Sequence, residues 1–163
     1  MLIKKIEKIL NEQIVKEGYS SNLYLSMASW ADKEGYAGVA QWIFAQAEEE
    51  RMHMMKFFHF INERGGHAIV PSFEEPPASF EGIKELFDQV MAHEQFISGS
   101  INDIVALAIE EKDFATHNWV QWFVTEQVEE EASVQLIIDK LKMLGKDNMY
   151  IFDRDIMGMR GGE

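Results

Sequence analysis

No cysteine occurs in the 163 residues, which removes disulfides, thiolate nucleophiles, iron–sulfur clusters and Cys-based zinc sites together. Proline is confined to Pro71, Pro76 and Pro77, so the rest of the chain is free of the residue that breaks helices. Positive charge is scarce too. Lys and Arg number 15 against 28 Asp and Glu, a formal net charge of −13. A nucleic acid or an anionic membrane would be repelled on average, and neither is expected as a partner; the balance suits a protein that handles cations. No apolar run approaches the ~20 residues that span a bilayer, and Met1-Leu2-Ile3-Lys4-Lys5 opens no signal-peptide core. The chain reads as a single cytoplasmic domain over residues 1–163, with 47% apolar residues to build its core.

What is present is periodic. Gly35, the Gly65-Gly66 pair and Lys112-Asp113 separate four long stretches whose apolar residues alternate at three and four, the helical signature. The stripes are Ile3, Ile6, Leu10, Gln13, Glu17, Ser20, Tyr24, Met27, Ala31; then Val39, Ile43, Gln46, Glu50, His53, Phe57, Phe60; then Ile83, Phe87, Val90, Glu94, Ile97, Ile101, Ile104, Ala108. The fourth is Val120, Phe123, Gln127, Glu130, Val134, Ile137, Leu141, Leu144. Helices of this length run about 40 Å at ~1.5 Å per residue. Two short links and one long one, His67–Phe80, make an all-α four-helix bundle with a crossover between helices 2 and 3. Ser79 is the expected cap of the third helix and Asp113 of the fourth. Gly145 is expected to end the fourth in a left-handed conformation, and Asp147 to cap a short fifth helix over about Asn148 to Met157.

The residues that interrupt the stripes carry the chemistry. Glu17, Glu50, His53, Glu94, Gln127 and Glu130 occupy positions the pattern assigns to the interior, where an unpartnered carboxylate costs several kcal/mol or takes up a proton. They also fall level with one another. Gly35 lies midway between Glu17 and His53, Lys112 lies midway between Glu94 and Glu130, and the two halves repeat at one constant offset. Each half offers one Glu on its first helix and an i, i+3 pair on its second, Glu50/His53 and Gln127/Glu130, with both members on one face. A misread surface residue explains any one of them but not the set. A salt-bridge cluster fails because no Lys or Arg stands on the stripes nearby, and protonation does not explain convergence. Two divalent cations would neutralise four carboxylates, and an oxygen-rich set with one imidazole suits first-row metals such as iron or manganese.

The pattern Glu17, Glu50-x-x-His53, Glu94, Gln127-x-x-Glu130 resembles the ferroxidase centre of non-haem ferritins. Asn22-Leu23-Tyr24-Leu25, Glu48-Glu49-Glu50-Arg51-Met52-His53 and Glu126-Gln127-Val128-Glu129-Glu130-Glu131 agree with it, over nearly the whole chain. The likeness is to the bacterial type: a bacterioferritin would carry His in place of Glu130, and a rubrerythrin would add a Cys-rich module. By this resemblance Glu17, Glu50 and His53 would hold one iron, and Glu94 and Glu130 a second, with Glu50 bridging. Gln127 would act as a weak ligand or as a donor to bound dioxygen. Glu49, Glu126 and Glu129, which otherwise read as a solvated acidic face, would form a third iron site. Tyr24, ordinarily a packing aromatic, would be a redox neighbour, with Trp122 a lesser one. The likeness further implies oxidation of Fe(II) by dioxygen or peroxide, and ferric oxyhydroxide stored in a shell of 24 identical subunits. No haem is expected, Met52, Met54 and Met55 being read as packing. Where the animal pattern lines its threefold channel with acids, His117 and Val120 stand instead.

Overall fold

The computed structural model describes residues 1–145 and 148–160. Four long helices run α1 Lys4–Lys33, α2 Ala37–Glu63, α3 Ile83–Glu110 and α4 Phe114–Met143, followed by α5 Met149–Asp155 and a 3₁₀ turn, Ile156–Met159. Helix α1 packs on α2, α3 on α4, and α1 on α3. Every residue of the four apolar stripes is buried except Ile3 and Leu144 at their outer ends, which are half-buried. No described helix is long and apolar enough to cross a membrane.

Three of the four long helices stop in the same way. After α1, Tyr36 N–H donates to the Ala31 carbonyl and Gly35 N–H to Asp32; after α2, Gly66 and Gly65 do the same to Ile61 and Asn62. After α3, Asp113 and Lys112 donate to Ala108 and Ile109. This 6→1, 5→2 pair demands a left-handed residue at C′, supplied by Gly35 (φ 89°), Gly65 (φ 76°) and, without a glycine, Lys112 (φ 56°). Asp113 caps α4 as expected, accepting from Thr116 N–H at 3.1 Å and pairing with Arg64 at the end of α2.

Two capping expectations are corrected. Helix α3 starts at Ile83, later than a Ser79 cap requires; its N-cap is Gly82, whose carbonyl accepts from Leu86, while Glu85 Oε2 accepts from Glu81 N–H. Gly145 does not take the left-handed conformation, because α4 ends with Leu144 already extended (ψ 123°). Asp147 lies outside the described residues.

The crossover is held along α1 by side chains. Glu7 accepts from His67 N–H, Asn11 both accepts from Ile69 N–H and donates to the His67 carbonyl, and Ser26 donates to the Pro77 carbonyl further along. At the other end of the chain α5 docks on the start of α2. There Asp153 Oδ1 accepts from Val39 N–H at 2.9 Å, with Phe152 and Ile156 buried beneath. Gly38 makes this approach feasible: a Cβ at that position would lie 1.8 Å from the Asp153 carbonyl oxygen. Replacing Gly38 by Ala therefore forces α5 off α2 and should destabilise the fold by about 1–3 kcal/mol, as overpacking against backbone does. Thermal unfolding and proteolysis of the tail measure this; an unchanged melting midpoint would refute the packing account.

Candidate metal centre

The polar residues meet at one level of the bundle. Glu17 and Glu94 are wholly buried, Glu50, His53 and Gln127 are at most 4% exposed, and Glu130 is 6% exposed. On one side, Glu17, Glu50 and His53 bring ligand atoms within 4.8 Å of one another. His53 Nδ1 lies 3.3 Å from Glu50 Oε2 and 4.0 Å from Glu17 Oε2. The other imidazole nitrogen faces outward, with Nε2 at 3.8 Å from Glu126 Oε1. His53, Glu126 and Glu130 form a second group of the same tightness. One histidine therefore sits between two clusters of oxygen donors, an arrangement that could hold cations on both sides.

Amide and phenol donors set the orientation of these carboxylates. Gln13 Nε2 donates to Glu17 Oε1 at 2.8 Å, and Gln46 Nε2 to Glu130 Oε2 at 2.7 Å. Glu94 is engaged at both oxygens, by the Tyr24 hydroxyl and by Gln127 Nε2 at 3.1 Å. By contrast Glu17 Oε2 and Glu50 Oε1 are buried and receive no hydrogen bond among the described residues. Buried oxygens without donors are costly, and both belong to the carboxylates clustered with His53. The donor set fits a hard or borderline cation on this side.

The expected residues are thus brought to one place, with differences of detail. Glu94 belongs to neither tight cluster, being turned toward Tyr24 and Gln127. Gln127 donates to Glu94 and Ser98. Of the three additional acids, Glu126 joins His53 and Glu130; Glu49 and the exposed Glu129 line a cavity of about 320 Å³ beside them, with Trp122, Lys56 and Arg160. Trp122 packs edge-on against His53 at 5.5 Å between ring centres, under Lys56 Nζ at 4.1 Å. Packing does not describe all three methionines: Met52 is 61% and Met55 37% exposed, and only Met54 reaches inward, against Gly18.

Three contributors went unrecognised in the sequence. Gln13 and Gln46 stand on the stripes, and their polarity there was the available signal. Arg160 had none: it lies beyond the four stripes, yet its guanidinium reaches Glu49 at 2.8 Å. The absence of basic residues from the stripes therefore does not make the neighbourhood free of positive charge.

The family model for the ferritin-like domain matches residues 7–144. The chain belongs to that family. It is 40% identical over 158 residues to a probable bacterial non-haem ferritin-like protein of Haemophilus influenzae, covering 96% of both chains. It is also 40% identical to a bacterial non-haem ferritin of Campylobacter jejuni, covering 96% of this chain and 95% of that one. Among solved structures it superimposes on the open-pore ferritin of the archaeon Archaeoglobus fulgidus with a TM-score of 0.93 at 43% identity, covering 95% and 96% of the two chains. A form of the Archaeoglobus fulgidus ferritin engineered to be closed matches over the full length of both chains at a TM-score of 0.94 and 42% identity.

In this ferritin-like chain burial decides the protonation of the centre. It pushes Glu17 and Glu50 well above the usual carboxylate range, reinforced for Glu17 by the charge of Glu50, and for Glu50 by Glu94 and Glu130. Glu130 is pushed up to about 8, chiefly by burial and then by Glu94. Burial likewise holds Tyr24 well above its ordinary value, so its hydroxyl remains a donor to Glu94. A carboxyl whose pKa is raised by folding stabilises the fold below its unfolded value near 4.5, and that contribution is lost as pH rises through about 8. Metal-free protein should therefore lose about 1.4 kcal/mol per pH unit for each proton still held as pH rises from 6 toward 8. Thermal unfolding in chelator should show the decline, Glu130→Gln should flatten it, and a divalent cation should reverse it. A metal-free protein equally stable at pH 6 and pH 8.5 would contradict this assignment.

Proposed function

We propose that this chain is a non-haem ferritin subunit that oxidises Fe(II) inside its own bundle and stores the product as ferric oxyhydroxide in a shell of 24 like subunits. The observation that carries the reading is the buried cluster of Glu17, Glu50 and His53, in which Glu17 Oε2 and Glu50 Oε1 have no hydrogen-bond donor among the described residues. Such lone pairs are satisfied by a proton or by a cation, and Fe(II) as substrate supplies the cation. Glu17, Glu50 and His53 would bind one Fe(II). Glu94 and Glu130 would bind the other, with Glu50 between them and Gln127 alongside. Two substrate ions held together can each give one electron to a single dioxygen or peroxide molecule. A ligand set of hard oxygens stabilises the ferric state and so favours that transfer.

The rest of the neighbourhood serves supply and electron balance. Glu49, Glu126 and Glu129 line a cavity next to His53, and they form a third position through which iron reaches or leaves the buried pair. Tyr24, its hydroxyl on Glu94, is placed to give an electron to the reacting oxygen. The −13 net charge draws cations toward such a site and suits a cytoplasmic iron store.

Oxygen consumption on adding Fe(II) tests the reading. Wild-type protein should oxidise two Fe(II) per chain quickly and then load iron far beyond that ratio. Glu50→Ala combined with Glu130→Ala should slow the fast phase by more than about 100-fold, because loss of even an outer partner of a metal ligand costs about 10–100-fold. Equal rates in the double variant would refute the reading. Fast oxidation that stopped at two irons per chain would point instead to a di-iron oxidase without storage.

A further inference from the structure

The segment after α5 carries a fixed cation into the acidic cavity. Anchored by Asp153 on the first turn of α2, the tail follows α2 and brings up Arg160, 22% exposed at its side chain. Arg160 Nη1 donates to the Trp42 carbonyl and to Gln46 Oε1, both at 3.1 Å, and Nη2 donates to Glu49 Oε2 at 2.8 Å. The guanidinium also lies 5.7 Å from the centre of the Trp42 ring. Because Gln46 Oε1 accepts from Arg160, its Nε2 is turned inward, where it donates to Glu130 Oε2. Arg160 thus acts on the acidic group at two points, on Glu49 directly and on Glu130 through one amide.

We infer that Arg160 is the resident cation of the third position: a divalent ion fills that position tightly only when the guanidinium withdraws. The inference rests on the assignment of Glu49, Glu126 and Glu129 to that position. Two effects act in the same direction. A fixed positive charge beside Glu49 lowers the negative potential an incoming ion feels, and Glu49 Oε2 is already committed to a planar donor that matches a carboxylate. Lys56, over Trp122 on the far side of the cavity, makes no ion pair with these acids among the described residues. Arg160 is a positioning residue: by holding Gln46 it keeps one Glu130 oxygen facing the amide, so the buried pair and the third position are filled in sequence.

Calorimetry with Zn²⁺, which has no redox chemistry of its own, counts the ions on the assembled full-length protein. Wild-type protein should bind two ions tightly and a third weakly per chain. Arg160→Ala should tighten the third by about tenfold, a Coulomb effect discounted for the half-open setting, while the protein still binds two ions tightly in the buried pair. Arg160→Gln, whose amide can still support Gln46, should tighten it equally. Arg160→Lys should stay weak, since charge persists without the fork. Adding Glu126→Gln to Arg160→Ala should remove the gain. Third-ion affinity unchanged in both Arg160→Ala and Arg160→Gln, with two tight ions retained, overturns the role of Arg160 and leaves the ferroxidase reading standing. Wild-type protein that binds no tight pair overturns that reading and this inference together.

Discussion

Negative charge and burial conflict at the waist of the bundle, and the rest of the molecule is arranged around that conflict. Glu17, Glu50, Glu94 and Glu130 stand where water cannot solvate them. Ionised, they repel one another across a low-dielectric interior; protonated, they lose their value as ligands. Neither state is comfortable without a cation, and the fold cannot relax by letting the helices part. Two apolar clusters grip the helices above and below. One holds Tyr24, Ile43, Phe87 and Val134, and the other holds Ile14, Phe57, Ile97 and Phe123. On each helix the polar residues fall between members of these two clusters. The apolar layers therefore supply the stability that keeps an unfavourable polar layer assembled.

Donors around that layer divide the labour unequally. Glu94 has a hydrogen bond on each oxygen, from Tyr24 and Gln127, whereas Glu17 and Glu50 each keep one oxygen free of any donor. The half of the centre near His53 is consequently set for a cation as it stands, while the half near Glu94 must give up a hydrogen bond to bind one. Under the proposed function this asymmetry makes the first Fe(II) bind more readily than the second, and it couples the second to Tyr24, whose hydroxyl is released when Glu94 turns. Reduction of oxygen and placement of the tyrosine then depend on the same event.

Local chemistry explains which features could be read before any coordinates. Helical periodicity is a property of neighbouring residues, so the four stripes and their polar interruptions appear in the chain directly, and antiparallel hairpins turn equal distances from Gly35 and Lys112 into equal heights. That reasoning locates the centre because it needs no side-chain conformation. It fails where tertiary contacts choose among local options. Ser79 has the chemistry of a cap, but the crossover stays irregular until Gly82. Gly145 has the freedom for a left-handed stop that α4 does not use. Whether Glu94 or Glu126 stands nearer His53 depends on rotamers set by Tyr24 and Gln127, which spacing cannot supply.

Arg160 shows the same limit most sharply, because a residue after the last regular element has no periodicity to betray its destination. Its place is fixed by a chain of contacts made elsewhere: Gly38 admits the Asp153 backbone, Asp153 caps α2 at Val39, Phe152 and Ile156 enter the core, and the 3₁₀ turn Ile156–Met159 leads along α2 to Arg160. Each step is weak as a local signal, yet together they deliver a guanidinium to Glu49. A site rich in carboxylates attracts any cation that can reach it, including one belonging to the same chain. A tethered cation at very high effective concentration competes with ions from solution, so the docking of α5 on α2, far from the buried pair in sequence, becomes part of how strongly the outer acids bind iron.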